Sequence, residues 1–331
     1  MNTMKWLLKR EYWEHKGGFF WAPLIVGAIM LLFLTVSVVT VAVTGSHHIG
    51  CHLEGGRTIC LSQSMTPTQR DQFVHGLASG YVGLETPVYF VLPFTMFFFA
   101  LGCLFDDRKD RSVLFWKSLP ISDHATVVSK LAMVLLIAPL LTIAIGTVLS
   151  LLSLLVICLA GAVIGLNFFG ALLSPDIVLS PLTVVAMLPV YAAWALPTIG
   201  WLMLVSAWAR TKPFLWAVGV PVLAGTLLSW GNALFGLGWN DAWYWQHIVG
   251  RGLGGTVPGL WFAYHPHLDG ILQSVDGGPA GMVVDSTRQG IGWLLAQSWQ
   301  MFATPGLWIG VAVGAAMIYA AIRLRRWRDE G

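Results

Sequence analysis

Long stretches without Asp, Glu, Lys or Arg alternate along this chain with short charged interruptions. The uncharged runs are Gly17–Leu53, Thr86–Phe105, Leu131–Pro175, Ile177–Ala209, Pro213–Asn240 and Gln289–Ile322. Each is at least as long as the roughly 20 residues that, at about 1.5 Å rise, cross a hydrocarbon core of about 30 Å. The pattern predicts an all-α, polytopic membrane protein of one transmembrane domain, 1–331. Its six membrane helices are expected at 19–44, 84–105, 127–160, 182–208, 214–236 and 301–322. A seventh run, Gly252–Leu268, holds four glycines, two prolines and two histidines in 17 residues and is not read as a span.

Composition agrees with a lipid-solvated chain. Only 11% of the 331 residues are charged and 56% are hydrophobic, with mean hydropathy +0.71. Soluble domains carry about 25% charged residues. The net charge of +3 is too small and too dispersed to suggest nucleic-acid binding.

Basic residues accumulate on the cytoplasmic side of membrane proteins. With both termini inside, 15 of the 19 Lys and Arg residues fall on that side and four, Arg57, Arg70, Arg251 and Arg288, fall outside. Splitting the 45-residue run from Leu131 into a hairpin would reduce this bias to 11 against eight, so one long third helix is expected. The resulting layout has an interfacial helix at 1–18, a cytoplasmic loop at 106–126, and external loops at 45–80 and 237–300.

In the interfacial segment MKWLLKREYWEHK, helical spacing puts Met4, Leu8 and Tyr12 on one face. The apolar run that follows is too long for a signal-peptide core. In the second helix Phe90, Phe94, Phe97 and Phe98 share a stripe. Together with Glu85, near the outer interface, they are candidates for the wall of a substrate path, lipid contact being the other reading. Ser122 or Asp123 is expected to cap the third helix, and Gly310 with Gly314 has close-packing spacing in the sixth. The tryptophans of 237–300 suggest a segment lying on, or dipping into, the outer leaflet.

Chemistry-bearing motifs are sparse. The first external loop gathers His47, His48, Cys51, His52 and Cys60, where a Cys51–Cys60 disulfide, a metal site or free thiols are the three readings. Neither a phosphate-binding GxxxxGK[ST] nor an HExxH motif occurs, so the chain is not expected to be an enzyme or to hydrolyse ATP. His265, His267 and Asp269 are a weak ligand cluster, and no metal is assigned to them. Few ionisable groups fall inside the apolar runs, which argues against a proton- or ion-coupled carrier. Energy is therefore expected to come from a cytosolic partner.

Three features carry a family resemblance. KREYWEHK precedes the first helix, and DDRKDRSVLFWKSLPISDHATVVSK, Asp106 to Lys130, joins the second and third within the six-helix layout. In this last stretch Ser118-Leu119-Pro120-Ile121-Ser122 and Ser129-Lys130 are the most recognisable residues. The chain resembles the membrane subunits of bacterial ATP-binding-cassette (ABC) export permeases of the type-2 class, although its external tryptophan-rich segment is longer than theirs. The resemblance implies a multi-pass subunit of the bacterial inner membrane that pairs with a second copy or a related permease, among membrane lipid. Two cytosolic ABC ATPase subunits would bind ATP and Mg, this chain holding no cofactor. It implies that Arg108 to Lys117 form a coupling contact, with Val113, Leu114, Phe115 and Trp116 as apolar anchor and Arg111 and Lys117 as polar rim. The second and fifth helices would line a path for a lipid, drug or peptide. Two other classes remain open: a membrane-bound metal-dependent enzyme using external histidines, and a non-transporting scaffold or immunity protein.

Overall fold

Six helical stretches of the computed structural model are long and apolar enough to cross a membrane: Met4–Thr40, Thr86–Lys109, Asp123–Val163, Asp176–Trp208, Leu215–Phe235 and Pro305–Trp327. Each overlaps one predicted span, and the chain is an all-α, multi-pass membrane protein. Residues 3–48, 51–54, 57–60, 67–109, 122–163, 166–236, 238–264 and 291–328 are described.

The first half of the chain comprises α1 (Thr3–Lys16), α2 (Ala22–His48), strands β1 (Cys51–Glu54) and β2 (Arg57–Cys60), α3 (Pro67–Gly80), α4 (Thr86–Gly102), α5 (Phe105–Lys109), α6 (Asp123–Ala132) and α7 (Ala138–Val163). The second half comprises α8 (Asp176–Ala186), α9 (Leu188–Trp208), α10 (Val220–Phe235), the short α11 (Asp241–Tyr244) and α12 (Arg251–Gly254), α13 (Ile291–Gln300) and α14 (Pro305–Arg328). Single π turns at Gly17–Trp21, Met133–Ile137 and Leu215–Gly219 interrupt the first, third and fifth spans. Such turns insert one residue into the helical repeat and so rotate the face that follows.

The central core is built on α9, whose buried face (Val190, Trp194, Ile199, Leu202, Val205) meets α4, the Met133 turn and α14. Close approach to α14 depends on glycine. A Cβ on Gly200 would lie 2.6 Å from the Gly314 carbonyl oxygen, and one on Gly314 would lie 2.8 Å from backbone atoms of Leu196 and Pro197. The expected packing role of Gly314 is thus realised against α9. By contrast, the most apolar windows of the first and fifth spans are only 11% buried, so these helices form the rim of the bundle.

The fourth span is broken at Met187. Pro189 falls in the first turn of α9, where a helix needs no N–H from it. The carbonyl of Ala186 at the break accepts a hydrogen bond from Trp299 Nε1 at 3.1 Å. The third span starts at the expected cap, Ser122, whose Oγ accepts from Ala125 N at 3.2 Å.

Outside the helical layer, β1 and β2 form one antiparallel hairpin with Cys51 opposite Cys60. Directly opposed residues of such a ladder have Cα atoms about 4.5–5.5 Å apart, within the span a disulfide bridges. Thiol labelling of the native protein, with and without prior reduction, is expected to gain two sites on reduction. Labelling that is unchanged by reductant would leave the thiols free.

Gly314→Ala is expected to destabilise by about 1–3 kcal/mol, because two helix backbones must separate to admit the methyl group. Gly231→Ala in α10, where a Cβ meets nothing within 4 Å, is the control and is expected to be neutral or mildly stabilising. Thermal unfolding in detergent distinguishes them.

Candidate functional site

Both ends of the charged 106–126 loop are anchored in a buried ionic network. Lys130, on α6, is 1% exposed; its Nζ lies 3.0 Å and 3.1 Å from the two carboxylate oxygens of Glu11 and 3.4 Å from Asp107 Oδ1. Asp107 Oδ2 in turn lies 3.3 Å from Arg325 Nη1, and Arg325 Nε is 3.4 Å from Asp123 Oδ1. Glu11 is 0%, Arg325 6% and Asp107 9% exposed. Five charges from α1, α5, α6 and α14 thus meet at the end of the bundle that carries most of the basic residues.

Two features of this network are not visible in the sequence. Ionisable side chains are not confined to solvated connections, because Glu11 and Lys130 are as buried as core leucines. The inward face of α1 is also different: Leu7 and Glu11 are buried, whereas Met4 is 37% exposed. Glu11 faces inward because Lys130 offers a partner there, and isolated amphipathicity cannot anticipate that. The isolated sequence had one available sign, a lysine seven residues into a helix that continues as an apolar span.

A second set of contacts ties the end of the second span to the end of the fourth. Between α4 and α5 the helix breaks, and the N–H groups of Leu104 and Phe105 donate to Ser206 Oγ at 3.1 and 3.0 Å. Arg108 turns back into the protein, its Nη2 donating to the carbonyl oxygens of Ser206 and Ala209, the latter at 3.0 Å. Cations favour the carbonyl end of a helix for electrostatic reasons. Arg108 therefore anchors the root of the loop, while Arg111, Val113, Leu114, Phe115, Trp116 and Lys117 lie outside the described residues.

The phenylalanine stripe is on the outer surface of the chain. Phe90, Phe94 and Phe98 are exposed, with Phe97 half-buried. Phe97 and Phe98 each place their ring centroids 6.4 Å from Phe214, where the fifth span begins, and Phe98 stacks on it. The second and fifth spans thus touch through these rings. Glu85 closes the 3₁₀ turn Tyr81–Glu85, but its side chain is outside the described set, as are those of Cys51 and Cys60 and all of His265, His267 and Asp269. Among the described residues one group has metal-ligand spacing, Glu11, Glu14 and His15. The Lys130 ammonium already neutralises Glu11, so that group is better read as part of the network.

Two apolar cavities lie towards the other side. One, of about 480 Å³, is bounded by α4, α7, α9 and the 3₁₀ turn Leu260–Tyr264, with Tyr89, Ile143, Tyr191 and Trp261 in its wall. The other, of about 510 Å³, lies between α9, α10, α14 and the segment Trp243–Leu253. That segment belongs to the region expected to sit on or in the outer leaflet, and its tryptophans do not need headgroups. Trp245 Nε1 donates to Ser229 Oγ at 3.0 Å and Trp261 Nε1 to Ser298 Oγ at 3.1 Å, while Tyr191 Oη donates to Thr256 O at 2.7 Å. Thr198 Oγ1 donates to Arg251 O at 3.1 Å. Thr198 is ten residues from the α9 terminus, about 15 Å along the helix, so residues 241–264 enter to about half the depth of the helix layer.

No protein-family model, curated protein or solved structure matches this chain. Its class rests on its own fold, a six-span all-α membrane protein.

Lys130→Met is expected to cost about 3–5 kcal/mol, since it leaves Glu11 buried and unpaired. Adding Glu11→Leu should recover most of the loss, because removing both members of a buried pair is often close to neutral. Unfolding midpoints of the two variants decide this; an equal loss in both would show that packing of the lysine stem matters more than its charge.

Proposed function

We propose that the chain is the membrane subunit of an ATP-driven ABC exporter for hydrophobic or amphipathic cargo, seated in a bacterial inner membrane and coupled to separate cytosolic ATPases. The observation that carries this reading is the anchoring of the 106–126 loop. Asp107 at its start and Asp123 with Lys130 at and beyond its end are joined through Arg325 and Glu11 to the last span and the first. Arg108 adds the fourth. A push on this loop, which joins the second and third spans, reaches three others, and the links to the first and sixth cannot yield without stranding a buried charge.

Other features favour the same reading. The chain has no phosphate-binding motif of its own. The two cavities described above are lined mainly by apolar groups, as hydrophobic cargo requires. The outward phenylalanine face of the second span, which touches Phe214 of the fifth, suits a second copy of the chain, with a path between the two. ATP and Mg would be held by the partner ATPase. Arg111, Val113 to Trp116 and Lys117 would dock on that partner and Arg108 would support them from behind.

Affinity purification from native membranes is expected to bring down a cytosolic subunit with a Walker motif. In liposomes with that subunit, cargo should stimulate ATP turnover, and Phe115→Ala with Trp116→Ala should abolish the stimulation without dispersing the membrane subunit. Full stimulation in the double variant would remove the loop from the coupling path, and absence of any ATPase partner would remove the export reading itself.

A further inference from the structure

We infer that the cavity between α9, α10 and α14 is a binding site for an amphiphile with an anionic head group, held by Arg251. This rests on the cargo class proposed above but names its charge and its site.

Arg251 is the cation in this cavity's wall, and its placement is unusual. The guanidinium carbon lies 4.4 Å above the centre of the Trp194 ring. Nη2 donates to Gly306 O at 2.9 Å, and the buried Nε has no hydrogen-bond partner. Among the described residues no carboxylate forms an ion pair with it. A cation that enters the helix layer without a counterion is costly, and such residues mark ligand or ion sites by default. The four buried charges of the cytoplasmic network, by comparison, all have partners of opposite sign. Glycine makes room for Arg251: a Cβ on Gly310 would lie 2.5 Å from Nη2.

Apart from His247 and Tyr244, the rest of the wall is apolar, and it is elongated. Along α14 it runs from Gly306, beside Arg251, to Met317, with Ile309 and Val313 between. Eleven residues of helix extend about 16 Å, long enough to lie alongside a substantial part of an acyl chain. Trp201 and Pro221 line the facing side. The charged end is the one remote from the basic end of α14, and the apolar end points towards the ionic network. That is the orientation of a lipid in the leaflet opposite the basic side, with its head outward and its tail inward. Arg supplies several donors in a planar fork suited to carboxylate or phosphate, so the shared chemistry is an oxyanion head on a hydrocarbon tail.

The test uses the purified full-length chain in nonionic detergent at mildly alkaline pH, followed by tryptophan emission. Trp201 and Trp243 line the cavity and report on brominated chains. Dibromostearate is compared with its neutral glycerol ester, and acetate is added as a competitor. Saturable quenching by dibromostearate is expected at a concentration at least about tenfold below that needed for the ester, the size of one charge-assisted contact. Arg251→Gln should abolish that preference, and Val313→Phe, which fills the tail space, should weaken both ligands. Equal titration of the two ligands, a preference that survives Arg251→Gln, or displacement by acetate at the same concentration as the long-chain anion would each overturn the proposal. If Arg251→Gln does not fold, the ligand pair on wild type and Val313→Phe still decide it. No ATPase is present, so failure here leaves the coupling test untouched, and failure of coupling leaves this site standing.

Discussion

The contact between Lys130 and Glu11 is the constraint on which the basic half of this protein depends. A lysine and a glutamate, both excluded from solvent, are tolerable only if each faces the other. Lys130 is on the third span and Glu11 on the helix before the first, so the requirement fixes those two elements relative to one another. Asp107 and Arg325 extend it to the second and sixth spans. Apolar surfaces in a membrane protein gain little by meeting each other rather than lipid. Directional polar contacts of this kind therefore have a larger part in setting helix positions than they would in a soluble core. The glycine contact between α9 and α14 works alongside it, with backbone proximity providing the dispersion contacts that lipid would otherwise supply.

Much of the architecture is legible in the chain because hydrocarbon thickness is a long-range rule written into composition. Six uncharged runs become six spans, Ser122 becomes a cap, and Gly314 becomes a packing site. What resists reading is pairing at a distance. Glu11 and Lys130 are separated by more than a hundred residues, and each looks like an ordinary charge beside a membrane helix until both are placed. The same applies to the indole donors. Composition alone assigns tryptophan to the headgroup level, while Trp245, Trp261 and Trp299 find hydroxyl or carbonyl acceptors inside the protein. Once those N–H groups are satisfied internally, residues 241–264 can enter the helix layer, which their glycines and charges would otherwise discourage. Arg108 is a third case. Its position in the loop suggests an outward contact, but the carbonyls left free where α9 ends are nearer and equally in need of a donor.

The two sides of the protein handle charge in opposite ways, and the difference bears on mechanism. On the basic side, three carboxylates and two cations close on one another, leaving little unmet demand for an outside ion. On the other side Arg251 has a ring face, one carbonyl and an unfilled donor, next to space. A closed network resists rearrangement, since any relative motion of its helices must carry the pairs together. An open cation beside a cavity rewards the arrival of an anion with a long apolar tail. In the proposed function, mechanical input and chemical recognition would be separated across the bundle, and α14 belongs to both sites, carrying Arg325 at one end and the glycines that admit Arg251 at the other. A displacement applied at the network would reach the cavity along one continuous helix, with no need for a relay through the rim spans.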